Sequence, residues 1–288
     1  MNQKKLLIKN LALTAVAVAV IWLTITPVLA QSDPLAQPLT LLDGQRISAE
    51  ELSRHTQALR DLYAKQIESY KFTEKDYQLA KNQQTQLGTL SSVETTTQLA
   101  KVAMIERSDV LITYFNLLHN YLVMAEGMDP KDQEKTSAEI LNHIADYQAH
   151  RQKILFVEDR ASLNQIAEEF NQVFAVSTNL VYRVLYALDL SQMNSLRLHA
   201  VVLYEKLQQK QADLPLSQTK LAERDRAYLD IDRVFDQISS QIENEQQLAI
   251  DETKGGLEIY KQGANLLAQT QANLMKALKY LQELASVI

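Results

Sequence analysis

The chain has 288 residues, no cysteine, 29 basic and 35 acidic residues, and a net charge of −6 at pH 7. The absence of cysteine excludes disulfides and also the lipid-modified cysteine of a bacterial lipoprotein. The negative balance gives no electrostatic reason to bind nucleic acid or anionic lipid.

The first thirty residues have the pattern of an export signal. Three lysines precede an apolar run from Leu11 to Ile25, and Val28 and Ala30 occupy the −3 and −1 positions of a cleavage site after Ala30. The alternative is an uncleaved anchor, because about 20 apolar residues are roughly enough to span a bilayer. Both interpretations predict that the rest of the chain is extracytoplasmic (secreted, periplasmic, at the cell surface or membrane-anchored). No later segment is predicted to span a membrane.

Glycine and proline are scarce, and their positions favour helices. The chain has 6 glycines and 5 prolines, whereas usual levels are about 7% and 5% of residues. Only Pro130 and Pro215 fall after residue 46, and the only hairpin dipeptide is Asp43-Gly44. The sequence therefore predicts an all-α protein, with residues 31–46 as a linker after the leader.

Capping residues predict where the helices begin and end. Four start signals, each a capping side chain followed by a helix-favouring residue, occur in the body: Ser48 with Glu51, Ser91 with Glu94, Asp129 with Pro130, and Ser162 with Gln165. Gly88 and Gly127 are expected to follow the first and second helices. Residues 99–124 are apolar over more than half the helix circumference, which predicts a helix at the centre of the bundle.

The second half of the chain is predicted to contain a break near residues 189–191, a stop at residues 213–216 and a C-terminal hairpin. After Gly255-Gly256, residues that are apolar except for Gln271 recur at alternating steps of three and four. They are predicted to form the buried face and occupy positions 257, 260, 264, 267, 271, 274, 278, 281, 285 and 288. This spacing predicts a coiled-coil-like antiparallel pair with the preceding helix.

The predicted fold is therefore an elongated bundle of six or seven long amphipathic helices over residues 47–288. The periodic pattern is compatible with one bundle, or with two that divide near 189–191 or 213–216.

A stripe of acidic residues and histidines on one predicted helix is a candidate metal site. Glu139, His143, Asp146 and His150 lie at i, i+4, i+7 and i+11, which is one line along a helix. Ferritin-like bundles bind iron or manganese through carboxylates and Glu-x-x-His pairs. This stripe lacks that spacing and lies off the apolar face, so the sequence favours a solvated face stabilised by side-chain pairs over a metal site.

A second candidate site consists of polar residues within apolar helices. Asn116, His119 and Asn120 interrupt the most apolar helix, and Arg183 interrupts the run from Val181 to Leu188. Buried polar groups need partners, so these residues could line a ligand pocket, or the first three could form an exposed edge or core hydrogen bonds that fix helix register. Arg183 could instead pair with a carboxylate from a facing helix.

No nucleophile elbow, phosphate-binding glycine loop or cofactor motif occurs in the sequence. We therefore predict a non-enzymatic, cofactor-free scaffold or protein-interaction module that contacts a protein partner or a second copy through its helix faces. It is predicted to bind no nucleic acid and to contact a membrane only through residues 1–30 if they are not cleaved. The alternatives are a membrane-anchored extracytoplasmic sensor or ligand-binding bundle, and a metal-binding bundle.

Overall fold

Helices dominate the part of the chain that the structure describes. The computed structural model describes residues 39–40, 46–212, 214–249 and 253–286. In chain order the elements are β1 (Leu39–Thr40), β2 (Arg46–Ile47), α1 (Ala49–Leu87), α2 (Leu90–Val123), α3 (Pro130–Leu155), α4 (Arg160–Ala212), α5 (Gln218–Ala249) and α6 (Gly256–Ser286). The predicted all-α fold is confirmed, and the described helices belong to one compact unit.

The predicted leader and most of the predicted linker lie outside the described residues. Within residues 31–46, β1 pairs with β2 in an antiparallel manner, with Leu39 opposite Ile47 and Thr40 opposite Arg46. These two-residue strands were not predicted.

The predicted start and end signals of α1 are confirmed. The Ser48 hydroxyl accepts a hydrogen bond from the Glu51 amide at 3.2 Å, and the Glu51 carboxylate accepts one from the Ser48 amide at 2.9 Å. Both exposed amides at the helix start are thereby satisfied. Gly88 ends the helix with a φ of 61°, a conformation that glycine adopts without a Cβ clash.

The start of α3 is also as predicted, whereas α2 and α4 begin earlier than predicted. Asp129 caps α3 ahead of Pro130. Thr89 rather than Ser91 caps α2, and the Asp159 carboxylate accepts the Ser162 amide at 2.9 Å, so that Ser162 lies inside the first turn of α4. In both cases an earlier residue, Thr89 or Asp159, caps the helix, and the predicted capping serine lies within the first turn.

The predicted helix break near residues 189–191 is absent. α4 continues through it as a single helix of 53 residues, about 80 Å long. Leu188, Leu190 and Ser191 are buried there, and no glycine or proline interrupts the run. Packing on both sides therefore outweighs the weak helix propensity of Asp189. The stop is confirmed, because α4 ends at Ala212.

α4 is shared by two groups of helices. Its first half packs with α2 and α3, and α1 packs along α2. One core cluster here joins Ile154 and Val157 to Leu163 and Ile166. Its second half packs with α5 and α6 around a larger core that runs from Tyr186 to Leu284. α5 and α6 are antiparallel neighbours, since Glu245 contacts Thr270 and Gln241 contacts Asn273.

The buried face of α6 differs from the predicted one. Leu267, Leu274 and Leu281 are buried as predicted, but the remainder of the buried face consists of Gly256, Ile259, Gly263, Thr270, Ala277 and Leu284. Leu257 and Leu278, which were predicted to be buried, are exposed by 44% and 43%. The neighbouring helix approaches so closely that small residues are selected at the contact: a methyl group on Gly263 would overlap the ring of Tyr186.

Among the described helices, α4 alone is long and apolar enough to cross a membrane by length and composition. The prediction of no later candidate span is therefore too strict. Of the apolar window in α4, 44% is buried within the bundle, and core helices of soluble proteins satisfy the same criterion.

Candidate functional site

The polar residues of α2 connect that helix to its neighbours. The amide of Asn120 donates to Thr56 at 3.1 Å and lies 3.0 Å from Nδ1 of His55, both on α1. Nε2 of His119 lies 2.7 Å from the hydroxyl of Ser137 on α3. These contacts match the alternative in which buried polar groups fix the register of packed helices.

The predicted four-residue ligand set is divided by the fold. The side-chain amide of Asn116 donates to the carbonyl of Ile112 on its own helix at 2.7 Å. Burial lowers the pKa of His119, and its Nδ1 is buried without a hydrogen-bond partner in the part of the chain that the structure describes. Arg183 lies elsewhere, in the cleft described below, which none of the three α2 residues lines.

The histidines of the α3 stripe turn toward aromatic side chains rather than toward solvent. The ring of His150 lies 4.8 Å from that of Phe170, and His150 is buried. Burial lowers the pKa of His150 to about 4. His143 lies 5.8 Å from the ring of Phe115, and its Nδ1 is 3.6 Å from the carboxylate of Asp146. The predicted solvated face is therefore wrong for His150.

These side chains do not assemble into a metal site. Within the described ranges, no three histidine, aspartate or glutamate side chains lie close enough to hold one ion. Glu139, the first member of the predicted stripe, lines the cleft near Arg183, whereas His150 packs on Phe170 farther along α3. The members of the stripe therefore lie in two separate environments.

A half-buried arginine that was not predicted as a candidate residue, Arg107, packs on the same Phe170 ring as His150. The guanidinium carbon of Arg107 is 4.2 Å from the ring centroid of Phe170 and 5.0 Å from that of Phe174. Cations are attracted to aromatic faces, and more strongly when water is excluded. Burial lowers the pKa of Arg107. The nearby positive charge also contributes, after burial and Lys153, to the lowered pKa of His150.

A cleft of about 90 Å³ lies where the α2–α3 turn, α3 and α5 meet the middle of α4. Its charged lining is Asp129, Asp132, Lys135, Glu139 and Arg183, and its apolar floor includes Leu180, Val184, Ala187 and Leu190. The cleft thus brings Arg183 and Glu139 together, although the sequence assigned them to different candidate sites.

The wall of this cleft is fixed by a close backbone contact. The Gly127 carbonyl accepts a hydrogen bond from the side-chain amide of Asn194 on α4 at 2.7 Å. A methyl group on Gly127 would overlap the carbonyl oxygen of Ser191. Gly127 was predicted as the cap of α2, but Met124 has that role. The glycine is needed instead for the approach of the turn to α4.

Arg183 and Glu139 both line the cleft, and neither side chain forms an ion pair or a hydrogen bond within the described residues. Both are half-buried. The predicted pairing of Arg183 with a carboxylate from a facing helix is therefore not formed, and the cleft offers charges of both signs to a bound molecule.

A second feature is an uncharged surface along α6, which we call the neutral strip. Its members recur every three or four residues: Leu257, Tyr260, Ala264, Ala268, Gln271, Met275, Leu278, Gln282 and Ala285. All are exposed except Tyr260, which is half-buried. Solvent faces of amphipathic helices normally carry charged residues, so a strip without any charge is unusual.

Exposed leucines of α4 lie level with the neutral strip along the axis of the bundle. The Tyr186–Gly263 and Gln211–Leu284 contacts show that α4 and α6 run parallel, with α4 positions level with α6 positions about 75 residues later. Leu203, 46% exposed, is therefore level with Leu278. Leu196, 48% exposed, lies two turns earlier on the same side of α4.

Comparison of the chain with protein-family models, curated protein sequences and solved structures finds no match in any of the three.

Proposed function

We propose that this chain is an exported, non-enzymatic interaction module that associates with a second copy of itself through the neutral strip. The main support for the proposal is that the bundle covers only some of the apolar side chains of α6. Its inner members are buried against α4 and α5, while Met275 and Leu278 remain exposed by 63% and 43%. Apolar side chains at three- and four-residue spacing are typical of a surface that packs against another helix.

A second copy is the occupant favoured by charge. Burying a charged side chain without a partner is costly, and the neutral strip carries no charge that a partner would have to match. A copy of the same chain offers an equally neutral surface. Two-fold association also places the same patch on both sides of the interface, which is the commonest arrangement of soluble homo-oligomers. The strip runs from Leu257 to Ala285, about 40 Å along the helix.

The self-association is tested by sedimentation equilibrium of the wild type and of Leu278→Glu. We expect a reversible dimer whose dissociation constant rises by about tenfold or more in the variant, because a carboxylate would be buried without a partner. Leu229→Glu is the matched control, since Leu229 is an exposed leucine of α5 outside the strip, and it should leave the dimer unchanged. A monomeric wild type, or equal effects of both variants, would contradict the proposal.

Salt provides a second test of the same interface. The full chain has a net charge of −6, and loss of Lys4, Lys5 and Lys9 with the leader makes it more negative. Screening should therefore preserve or strengthen association of two like-charged chains through neutral surfaces. A dimer that dissociates at high salt would indicate an interface of opposite charges instead.

Export remains part of the proposal. It is supported by the leader pattern of residues 1–30, and N-terminal sequencing of the exported protein should begin at Gln31. An intact N terminus would favour the anchored form.

A coiled-coil packing of α5 and α6 also stays a prediction; their antiparallel arrangement and heptad spacing support it.

A further inference from the structure

We infer that the cleft between α3, α4 and α5 binds a small zwitterion of the α-amino acid class. The inference is independent of the neutral strip, because none of the residues of the strip lines the cleft. It rests on the unpaired opposite charges of Arg183 and Glu139, on the size of the cleft and on its fixed wall.

Only a ligand with both charges satisfies both side chains. The guanidinium of Arg183 matches a carboxylate in geometry and charge, and the carboxylate of Glu139 accepts hydrogen bonds from an ammonium group. A simple anion would leave Glu139 unmatched next to Asp129 and Asp132, and a simple cation would leave Arg183 unmatched in a lining that also includes Lys135. The apolar floor, which includes Leu180 and Val184, leaves room for a short aliphatic part of the ligand.

The size of the cleft limits the ligand. A volume of about 90 Å³ holds roughly six to nine water-sized groups, at about 10–15 Å³ for each. This fits an amino acid with a small side chain.

The site is also preformed on one side, since the Gly127 carbonyl is held by Asn194 and the turn cannot move away without breaking that contact. Preformed sites lose less free energy in ordering their walls on binding.

The test is isothermal titration calorimetry of the full chain with each of the twenty common L-amino acids. We expect saturable binding of at least one small member. Its deaminated acid and its decarboxylated amine should both bind about tenfold or more weakly, because each lacks one charge-assisted hydrogen bond. Failure of all twenty to bind, or equal binding of the deaminated acid, would overturn the inference.

Variants locate the binding within the cleft. Arg183→Met and Glu139→Gln should each raise the dissociation constant by about tenfold or more. Arg226→Met is the matched control, because Arg226 is an exposed arginine whose nearest carboxylate oxygen, on Asp230, is 3.9 Å away, and binding should stay within about twofold of the wild type. Equal effects of Arg183→Met and Arg226→Met would place the ligand elsewhere and overturn the assignment. Circular dichroism confirms that each variant is folded.

Discussion

His119, His143 and His150 are the three histidines that the fold removes from water, and all of them have lowered pKa values. In each case burial is the main cause, because it penalises the charged imidazolium. Each has one buried ring nitrogen without a hydrogen-bond partner among the described residues. Protonation of these rings is therefore less favourable in the folded state than in water, although the carboxylates of Asp146 and Glu139 partly oppose the shift at His143.

Acid should destabilise the protein through His150. The pKa of His150 is about 4 in the folded state, below the ordinary 6.5, so the unfolded state binds more protons between these values. Stability is complete above about pH 6.5 and is lost as the pH falls toward 4. His150→Phe should reduce this loss by about 1–2 kcal/mol, because it removes the titration and retains an aromatic ring.

The measurement is urea unfolding of the wild type and His150→Phe at about pH 7.5 and about pH 5. His199→Gln is the control, since His199 is exposed and its loss should leave the pH dependence nearly unchanged. An equal loss of stability in His150→Phe and the wild type on acidification would show that His150 does not contribute.

At the level of elements, glycine contacts determine how α6 packs on α4. Gly263→Ala should lower the free energy of unfolding by about 1–3 kcal/mol, because the added methyl group would overlap the ring of Tyr186. This loss opposes the gain of about 1 kcal/mol that alanine usually brings to a helix interior. Gly255→Ala is the matched control, since a methyl group there would meet its nearest atom, on Asn179, at 3.8 Å.

Urea unfolding followed by circular dichroism distinguishes the two substitutions. A Gly263→Ala protein as stable as the wild type would show that α6 shifts to accommodate the methyl group and that the contact is not restrictive.

The same contacts explain how much of the fold could be predicted. Caps such as the Ser48–Glu51 pair involve neighbouring residues, so the sequence reveals them. The buried face of α6 could not be predicted in the same way, because Leu278 was assigned to the core by its three- and four-residue spacing, whereas the close approach of Tyr186 selects Gly263. Similarly, Arg183 and Glu139 were both identified as candidates, but only the packing of α3 on α4 places them in one cleft.

At the level of the whole molecule, α4 contributes to both groups of helices, so we expect them to unfold together. The pH dependence due to His150 and the opposite pH dependence due to Asp189 should then both appear in one unfolding transition. Burial raises the pKa of Asp189 to about 6, from 3.8. The folded state therefore binds more protons than the unfolded state in that range, and stability falls as the pH rises through it.

Asp189→Asn should stabilise the protein at pH 7 by about 1–2 kcal/mol and have little effect below about pH 3, where Asp189 is protonated in both states. Hydrogen exchange at pH 7 provides the readout, because a single cooperative unit should show increased protection in α1–α3 as well as in α5 and α6. Increased protection confined to α5 and α6 would show that the two groups unfold separately.

The uninterrupted course of α4 also limits how its length can change. Each residue added to a helix turns everything beyond it by about 100° and advances it by about 1.5 Å. A single insertion between Phe170 and Tyr186 would rotate the side chains that meet α5 and α6 away from the faces that meet α2 and α3. Related chains should therefore differ in this helix by about seven or eleven residues, which restore the original phase, or not at all.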